Sequence, residues 1–241
     1  MNQPGFFELM SFGPGGWGAA MLFGALMTLA VAVCGFAIGA VFGAVAALAK
    51  IAGNRLARIV ADVYTTVLRG IPDLLVIYLF YFGGSSVLTA AGRLFGSEGF
   101  IGLPGFAAGA LAIGVVSGAQ HTEVFRGAYR AVQPGEIEAA VACGMRPLLR
   151  FRRIIAPLVL RHALPGLGNV WQIVLKESAL VSVTGTVELL RQSQVGAGST
   201  REPFYFYAAA GILYLAITSI SGFGFRRAET HYRRGVARRA A

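Results

Sequence analysis

Charged side chains are scarce in this sequence: 13% of its 241 residues are Asp, Glu, Lys or Arg, against 56% that are hydrophobic. A soluble domain of this length cannot hide so much apolar surface in one core, which excludes an ordinary globular enzyme and makes the bilayer the solvent. Cysteine is nearly absent. Cys34 falls in an apolar run and Cys143 in a polar one, so no disulfide is proposed. Also missing are a Gly-x-x-x-x-Gly-Lys-Ser/Thr phosphate cradle and a Gly-x-Ser-x-Gly nucleophile elbow. The three histidines, His121, His162 and His231, are dispersed without metal-ligand spacing, and no metal is expected. No repeat or low-complexity linker divides the chain, which reads as a single domain, 1–241.

What the sequence does contain is five apolar runs. A helix needs about 20 mostly apolar residues to cross roughly 30 Å of hydrocarbon, and the runs 18–49, 59–82, 103–125, 164–186 and 204–225 meet that length. The first carries no charge and no basic residue precedes it, so it reads as a retained helix and not as a cleaved signal. The second is interrupted by Arg69-Gly70-Ile71-Pro72-Asp73, where proline and glycine together predict a kink. Lys176 and Glu177 lie inside the fourth. The expected fold is therefore an all-α integral membrane protein with about five transmembrane helices.

The net charge of +10 invites a nucleic-acid reading, but position decides. With the N-terminus outside, Lys50, Arg55 and Arg58 fall in the first inner loop. Arg126, Arg130, Arg146, Arg150, Arg152, Arg153 and Arg161 fall in the second, and Arg226, Arg227, Arg233, Arg234, Arg238 and Arg239 in the tail. Only Arg93, Arg191 and Arg201 remain outside. The positive-inside rule thus predicts N-terminus out and C-terminus in. A nucleic-acid partner has no exposed fold to bind, so none is expected.

The inner segment 126–163 is charged yet helix-prone, with apolar residues at Ile137, Val141, Leu148, Leu149, Ile154 and Ile155. It predicts two short helices broken at Gly144, which can adopt the left-handed conformation, with Pro147 in the first turn of the second. Such a knob suits a soluble partner that delivers force. Gly35, Gly39 and Gly43 recur every four residues and predict a smooth ridge for close helix packing.

The knob reads Glu138-Ala139-Ala140, then Gly144, Ile154 and Pro157, and resembles the EAA signature of permease subunits of ATP-binding-cassette importers; Ala156 departs from it where Leu is usual. The stretches 64–72, 122–127 and 164–169 are similar to the polar amino-acid branch. Residues 176–182 and 202–206 look most like permeases for histidine, other basic amino acids and opines. The resemblance implies a type I importer permease with the MetI-like fold, in the bacterial inner membrane. It implies two such chains, identical or sister subunits, two cytosolic ATPases gripping the EAA helices, and a periplasmic solute-binding protein. Glu138, Ala139, Ala140, Gly144, Arg146 and Pro157 would couple to the ATPase, which would bind ATP and Mg; this chain would hold no cofactor and catalyse nothing.

Charges on membrane helices cost about 2.5 to 3.5 kcal/mol each at mid-bilayer, so each needs a partner or a wet path. Arg69 lies near mid-membrane by helical rise and is spaced to pair with Asp73, as a structural pair or as a gating or substrate contact. Asp62 and Glu123 are candidates for substrate ammonium groups, with Gln120, His121 and Thr122 adding neutral hydrogen bonds; Glu123 could equally bridge Arg126 or Arg130. Lys176 and Glu177 face different directions, and one of them is expected to meet another helix. Rival readings are an ion-driven secondary transporter, with Asp62 and Glu123 as a proton relay, and an intramembrane enzyme. Absence of paired halves weighs against the first, and absence of a nucleophile–base pair against the second.

Overall fold

A computed structural model describes residues 5–96 and 99–233; the tail cations Arg234, Arg238 and Arg239 lie outside the described residues. Every regular element described is helical. After a short α1 (Phe6–Leu9) come α2 (Gly18–Ala52), α3 (Arg55–Gly70), α4 (Asp73–Tyr78), a π-helical turn (Leu79–Gly83) and α5 (Gly84–Leu94). Next are α6 (Gly105–Arg130), α7 (Pro134–Ala142), α8 (Pro147–Arg150) with a second π-helical turn (Phe151–Ile155), and α9 (Ala156–Glu177). A 3-10 turn (Ser178–Thr184), α10 (Leu189–Thr200) and α11 (Pro203–Arg233) complete the described chain.

The centre is the α2–α6 pair. A Cβ built on Gly35, Gly39 or Gly43 would lie 2.8 Å from Ile113, 2.2 Å from Ser117 and 2.3 Å from His121 respectively. Both series advance in step, so the two helices run side by side in the same direction, in contact along the expected ridge. Glycine suits these positions because a side chain here would meet α6 closer than contact distance, most severely at Gly43, where backbone atoms lie 3.0 Å away. Gly114 and Gly118 of α6 return the contact against Ile38 and Phe42. Trp171, Val174 and Leu175 of α9 close the core over Val31, Ala112 and Ile113.

Among the described residues, three helices are long and apolar enough to cross a membrane: Gly18–Ala52, Asp73–Leu94 and Pro203–Tyr232. This shifts the expected second span. The stretch 59–82 is divided by the predicted break: α3 ends at Gly70, Pro72 N-caps α4, and the sufficiently apolar helix starts only at Asp73. α3 itself is amphipathic, exposing Leu56, Ile59, Val60, Val63 and Val67 while burying Ala61 and Thr65. The expected third and fourth spans exist as α6 and α9 but fall short of that apolar length. α6 is rich in Gly, Ala and Ser because it is enclosed by α2, α3, α4 and α9, and touches protein where a peripheral helix touches lipid. α9 starts at Ala156, inside the segment expected as loop, and tightens into the 3-10 turn at Ser178, well before 186.

The knob follows its turn chemistry. Gly144 has φ of 72°, and the Gly144 and Met145 N–H groups donate to the carbonyls of Val141 and Ala140, the paired bonds that finish a helix in a left-handed glycine. Pro147 then opens α8 in a position where its missing N–H costs nothing.

Beyond the 3-10 turn, Gly185 (φ 81°) reverses the chain into α10. The N-cap of α10 is Glu188, fully buried between α2 and α11. Its carboxylate accepts from the backbone N–H of Leu190 (2.9 Å) and Arg191 (2.7 Å), from the Thr28 hydroxyl (3.2 Å) and from the Tyr214 hydroxyl (3.2 Å).

Candidate pathway and coupling surface

Two cavities lie against the inner core, between α3, α4, α6 and α9. The deeper one, ≈ 490 Å³, is lined by Leu68, Arg69, Asp73, Val116, Gln120, Glu123, Asn169 and Ile173, among others. The other, ≈ 560 Å³, opens beside the α2–α3 corner and is lined by Lys50, Asp62, Thr65, Thr66, Arg69, Gly70, Glu123 and Arg126. Arg69 and Glu123 belong to both walls, so the cavities adjoin and form one polar route along α3 and α6.

Asp62, Arg69, Asp73, Gln120 and Glu123 all reach this route. The Pro72 break explains how: it interrupts the helix between Gly70 and Asp73, and α4 starts again with Asp73 in its first turn, where a carboxylate favours the helix dipole. Arg69 and Asp73 form no ion pair among the described residues; the break is instead bonded through its backbone, Ile71 N–H to Val67 O and Leu75 N–H to Pro72 O. Asp73 instead lies beside Glu177, whose carboxyl also neighbours Gln120. Glu177 is thus the member of the Lys176–Glu177 pair that meets another helix. One oxygen each of Glu177 and Gln120 is buried without a hydrogen-bond partner.

Two expected contacts are corrected. His121 and Thr122 are fully buried in the α2–α6 seam and do not line either cavity. The His121 Nδ1–H donates to Ser117 O at 2.8 Å and the ring packs edge-on against Phe36, while the Thr122 hydroxyl donates to Gly118 O. Ser117 and His121, four apart, continue the row that faces Gly39 and Gly43, while Val116, Gln120, Glu123 and Val124 form the neighbouring row that lines the deeper cavity.

Asp62 and Glu123 are also less free than expected. Both bind Lys50, whose Nζ lies 2.9 Å from Asp62 Oδ1, 2.9 Å from Glu123 Oε1 and 2.7 Å from Thr65 Oγ1. Glu123 additionally accepts from Arg126, the expected alternative within α6. Lys50 was expected in a loop, but α2 runs on to Ala52 and keeps its side chain inside the fold. Asn169, inside the stretch 164–169, lines the deeper cavity and was not among the expected pathway residues.

Away from the cavities, the knob presents Glu138, Ala139, Gly144, Arg146 and Pro157 to solvent, while Ala140 is buried. Val141, Leu148, Leu149 and Phe151 are exposed beside them, with Leu148 at 71%. These apolar side chains stand on an otherwise charged projection.

Residues 39–233 match the family model described as the binding-protein-dependent transport system inner membrane component. The chain belongs to this family. It is a permease subunit of such a transport system, and the permease is 60% identical over 233 residues to the octopine transport system permease protein OccQ of Agrobacterium tumefaciens (strain Ach5), covering 97% of this chain and 98% of that one. It is 49% identical to the nopaline transport system permease protein NocQ of Agrobacterium fabrum, with 95% and 97% covered. It is 39% identical to the histidine/lysine/arginine/ornithine transport system permease protein HisQ of Escherichia coli (strain K12), with 92% and 97% covered. Among solved structures, a crystal structure of an amino acid ABC transporter with histidines superposes with a TM-score of 0.70 at 31% identity, over 91% of the permease and 95% of that chain. An inward-facing MetNI methionine ABC transporter, 18% identical with TM-score 0.64, has the same fold over 88% of the permease and 94% of that chain.

Proposed function

We propose that the permease forms the translocation pathway of an ATP-driven importer for basic amino acids or opines, working with a second permease chain, two ATPase subunits and an external solute-binding protein. The observation that carries the substrate class is the deep cavity, where Arg69 lies on the wall that also bears Asp73, with Gln120 and Glu177 adjoining. A cation and a carboxylate on one cavity wall, with a second carboxyl, Glu177, beside the first, suit a substrate carrying both a carboxylate and a cationic nitrogen. The compounds in the relatives' names share that pattern. Arg69 is assigned to the substrate carboxylate, as a planar donor, and Asp73 with Glu177 to the cationic end.

On this reading the knob faces the cytosol, with the N-terminus outside and the C-terminus inside, and the bacterial inner membrane holds the complex. Glu138, Ala139, Ala140, Gly144, Arg146 and Pro157 couple to an ATPase that binds ATP and Mg. The exposed apolar residues Val141, Leu148, Leu149 and Phe151 supply the desolvated centre of that contact.

Asp73→Asn with Glu177→Gln, introduced together, is expected to reduce uptake of L-arginine by reconstituted complex at least about tenfold, the loss from one charge-assisted hydrogen bond. Binding of the ATPase should remain intact. Uptake within twofold of wild type would remove both residues from the substrate path.

A further inference from the structure

The shallower cavity contains a complete site for a primary ammonium group, and that site is filled by the protein itself. Lys50 Nζ has three acceptors: Asp62 Oδ1 at 2.9 Å from α3, Glu123 Oε1 at 2.9 Å from α6, and Thr65 Oγ1 at 2.7 Å. Three acceptors match the three N–H bonds of an alkylammonium ion. The Thr65 hydroxyl proton is directed at the carbonyls of Ala61 and Asp62, 3.0 and 3.1 Å away, which leaves an oxygen lone pair for the lysine. Arg126 holds the other Glu123 oxygen through its Nε at 2.9 Å and so fixes the carboxylate that faces Lys50.

Burial is distributed unevenly across this cluster. The Lys50 side chain is 10% exposed, whereas that of Asp62 is 65% exposed and that of Glu123 25%. The ammonium is therefore shielded while one of its carboxylates is open to the cavity. A site that exchanges occupants needs such an open flank. Arg69 and Glu123 join this cavity to the deeper one, so a substrate leaving the Asp73–Glu177 end meets the Lys50 site next.

We propose that Lys50 is a tethered competitor for cationic substrate: it occupies the ammonium site at the knob end of the pathway, and so keeps that site from retaining or recapturing a substrate bearing a free alkylammonium group. Without it, Asp62 and Glu123 would be an anionic trap at the exit. With it, a departing cation finds the acceptors filled. The proposal rests on the pathway reading above and adds a residue that determines release.

The test uses proteoliposomes of the full complex with the ATPases facing the bath and loaded binding protein in the lumen. ATP hydrolysis is followed while L-lysine, or the near-isostere L-norleucine, whose side chain carries no ammonium, is added to the bath. Wild type should be stimulated by the luminal binding protein and be insensitive to both additions at millimolar concentration. Lys50→Met should become inhibited by L-lysine at least about tenfold more strongly than wild type, the factor one charge-assisted hydrogen bond supplies, and remain insensitive to L-norleucine. An assembled Lys50→Met complex that L-lysine does not inhibit, or that both compounds inhibit equally, overturns the proposal and leaves the pathway reading standing. Absence of stimulation in wild type removes both. If Lys50→Met does not assemble, Lys50→Met with Asp62→Asn preserves net charge and still vacates Glu123 and Thr65; L-lysine-selective inhibition is expected there too, and its absence counts against the proposal.

Discussion

Gly43→Leu is expected to abolish accumulation of folded permease in the membrane. The first atom of the new side chain would lie 2.3 Å from His121 Cβ and 3.0 Å from both the His121 carbonyl carbon and the Thr122 nitrogen, so α2 and α6 must separate along their whole contact. Overpacking of this kind costs about 1–3 kcal/mol and sometimes more, and the remaining atoms of leucine have no space to enter. Gly39 is the milder position, because its nearest contact at 2.2 Å is the Ser117 hydroxyl oxygen, on a side chain that can rotate. Gly127 provides the control on the same α6: nothing lies within 4 Å of its added Cβ. Gly127→Ala should leave stability unchanged or raised by about 0.5–1 kcal/mol, the helix-propensity difference. Thermal aggregation of detergent-solubilised protein, followed by size-exclusion chromatography, ranks the variants. Equal melting of Gly43→Leu and wild type would contradict close packing at this seam.

Glu188→Ala is expected to loosen the α10 segment and destabilise the chain by several kcal/mol. Removing the carboxylate strands the N–H groups of Leu190 and Arg191 and leaves the hydroxyls of Thr28 and Tyr214 without their acceptor. Each buried group left unsatisfied costs about 1–3 kcal/mol. Thr28 loses twice, since its oxygen also accepts from the Leu189 N–H at 3.1 Å and its orientation depends on Glu188. Limited proteolysis should cut first within 186–200 in the variant. Glu188→Gln retains an acceptor oxygen and should recover part of the loss. A Glu188→Ala protein as protease-resistant as wild type would show that α10 is held by its apolar contacts alone, chiefly Phe206 against Gly196.

The features most legible in the sequence were those set by local chemistry. The Gly144 stop, the Pro147 start and the Pro72 break each depend on one residue's backbone preference, and all stand where the spacing puts them. The glycine ridge was readable for the same reason, because a four-residue repeat of the smallest side chain has one geometric use. Span boundaries were less legible. Hydropathy measures exposure to lipid, and α6 is enclosed by other helices, so its composition reports protein contact. Contacts between helices could not be read at all: Lys50 and Glu123 are 73 positions apart, Thr28 and Glu188 160. His121 and Thr122 were assigned to the pathway by depth, but depth is blind to rotation, and the helix turns both toward the seam. Glu188 gave no signal, since a carboxylate in a short polar stretch reads as solvated until its donors are brought to it.

Force from an ATPase is expected to enter this permease through its knob. The most direct measurement is ATP hydrolysis by the complex reconstituted in lipid, with and without substrate-loaded binding protein, comparing wild type with Glu138→Lys. Glu138 is exposed on α7 with no ion-pair partner among the described residues, so the substitution should leave the fold intact and reverse the charge offered to the partner. The account predicts stimulation in wild type and its loss in Glu138→Lys, with assembly checked by co-purification. Substrate uptake by this chain alone, driven by an ion gradient and requiring no ATPase, would contradict it.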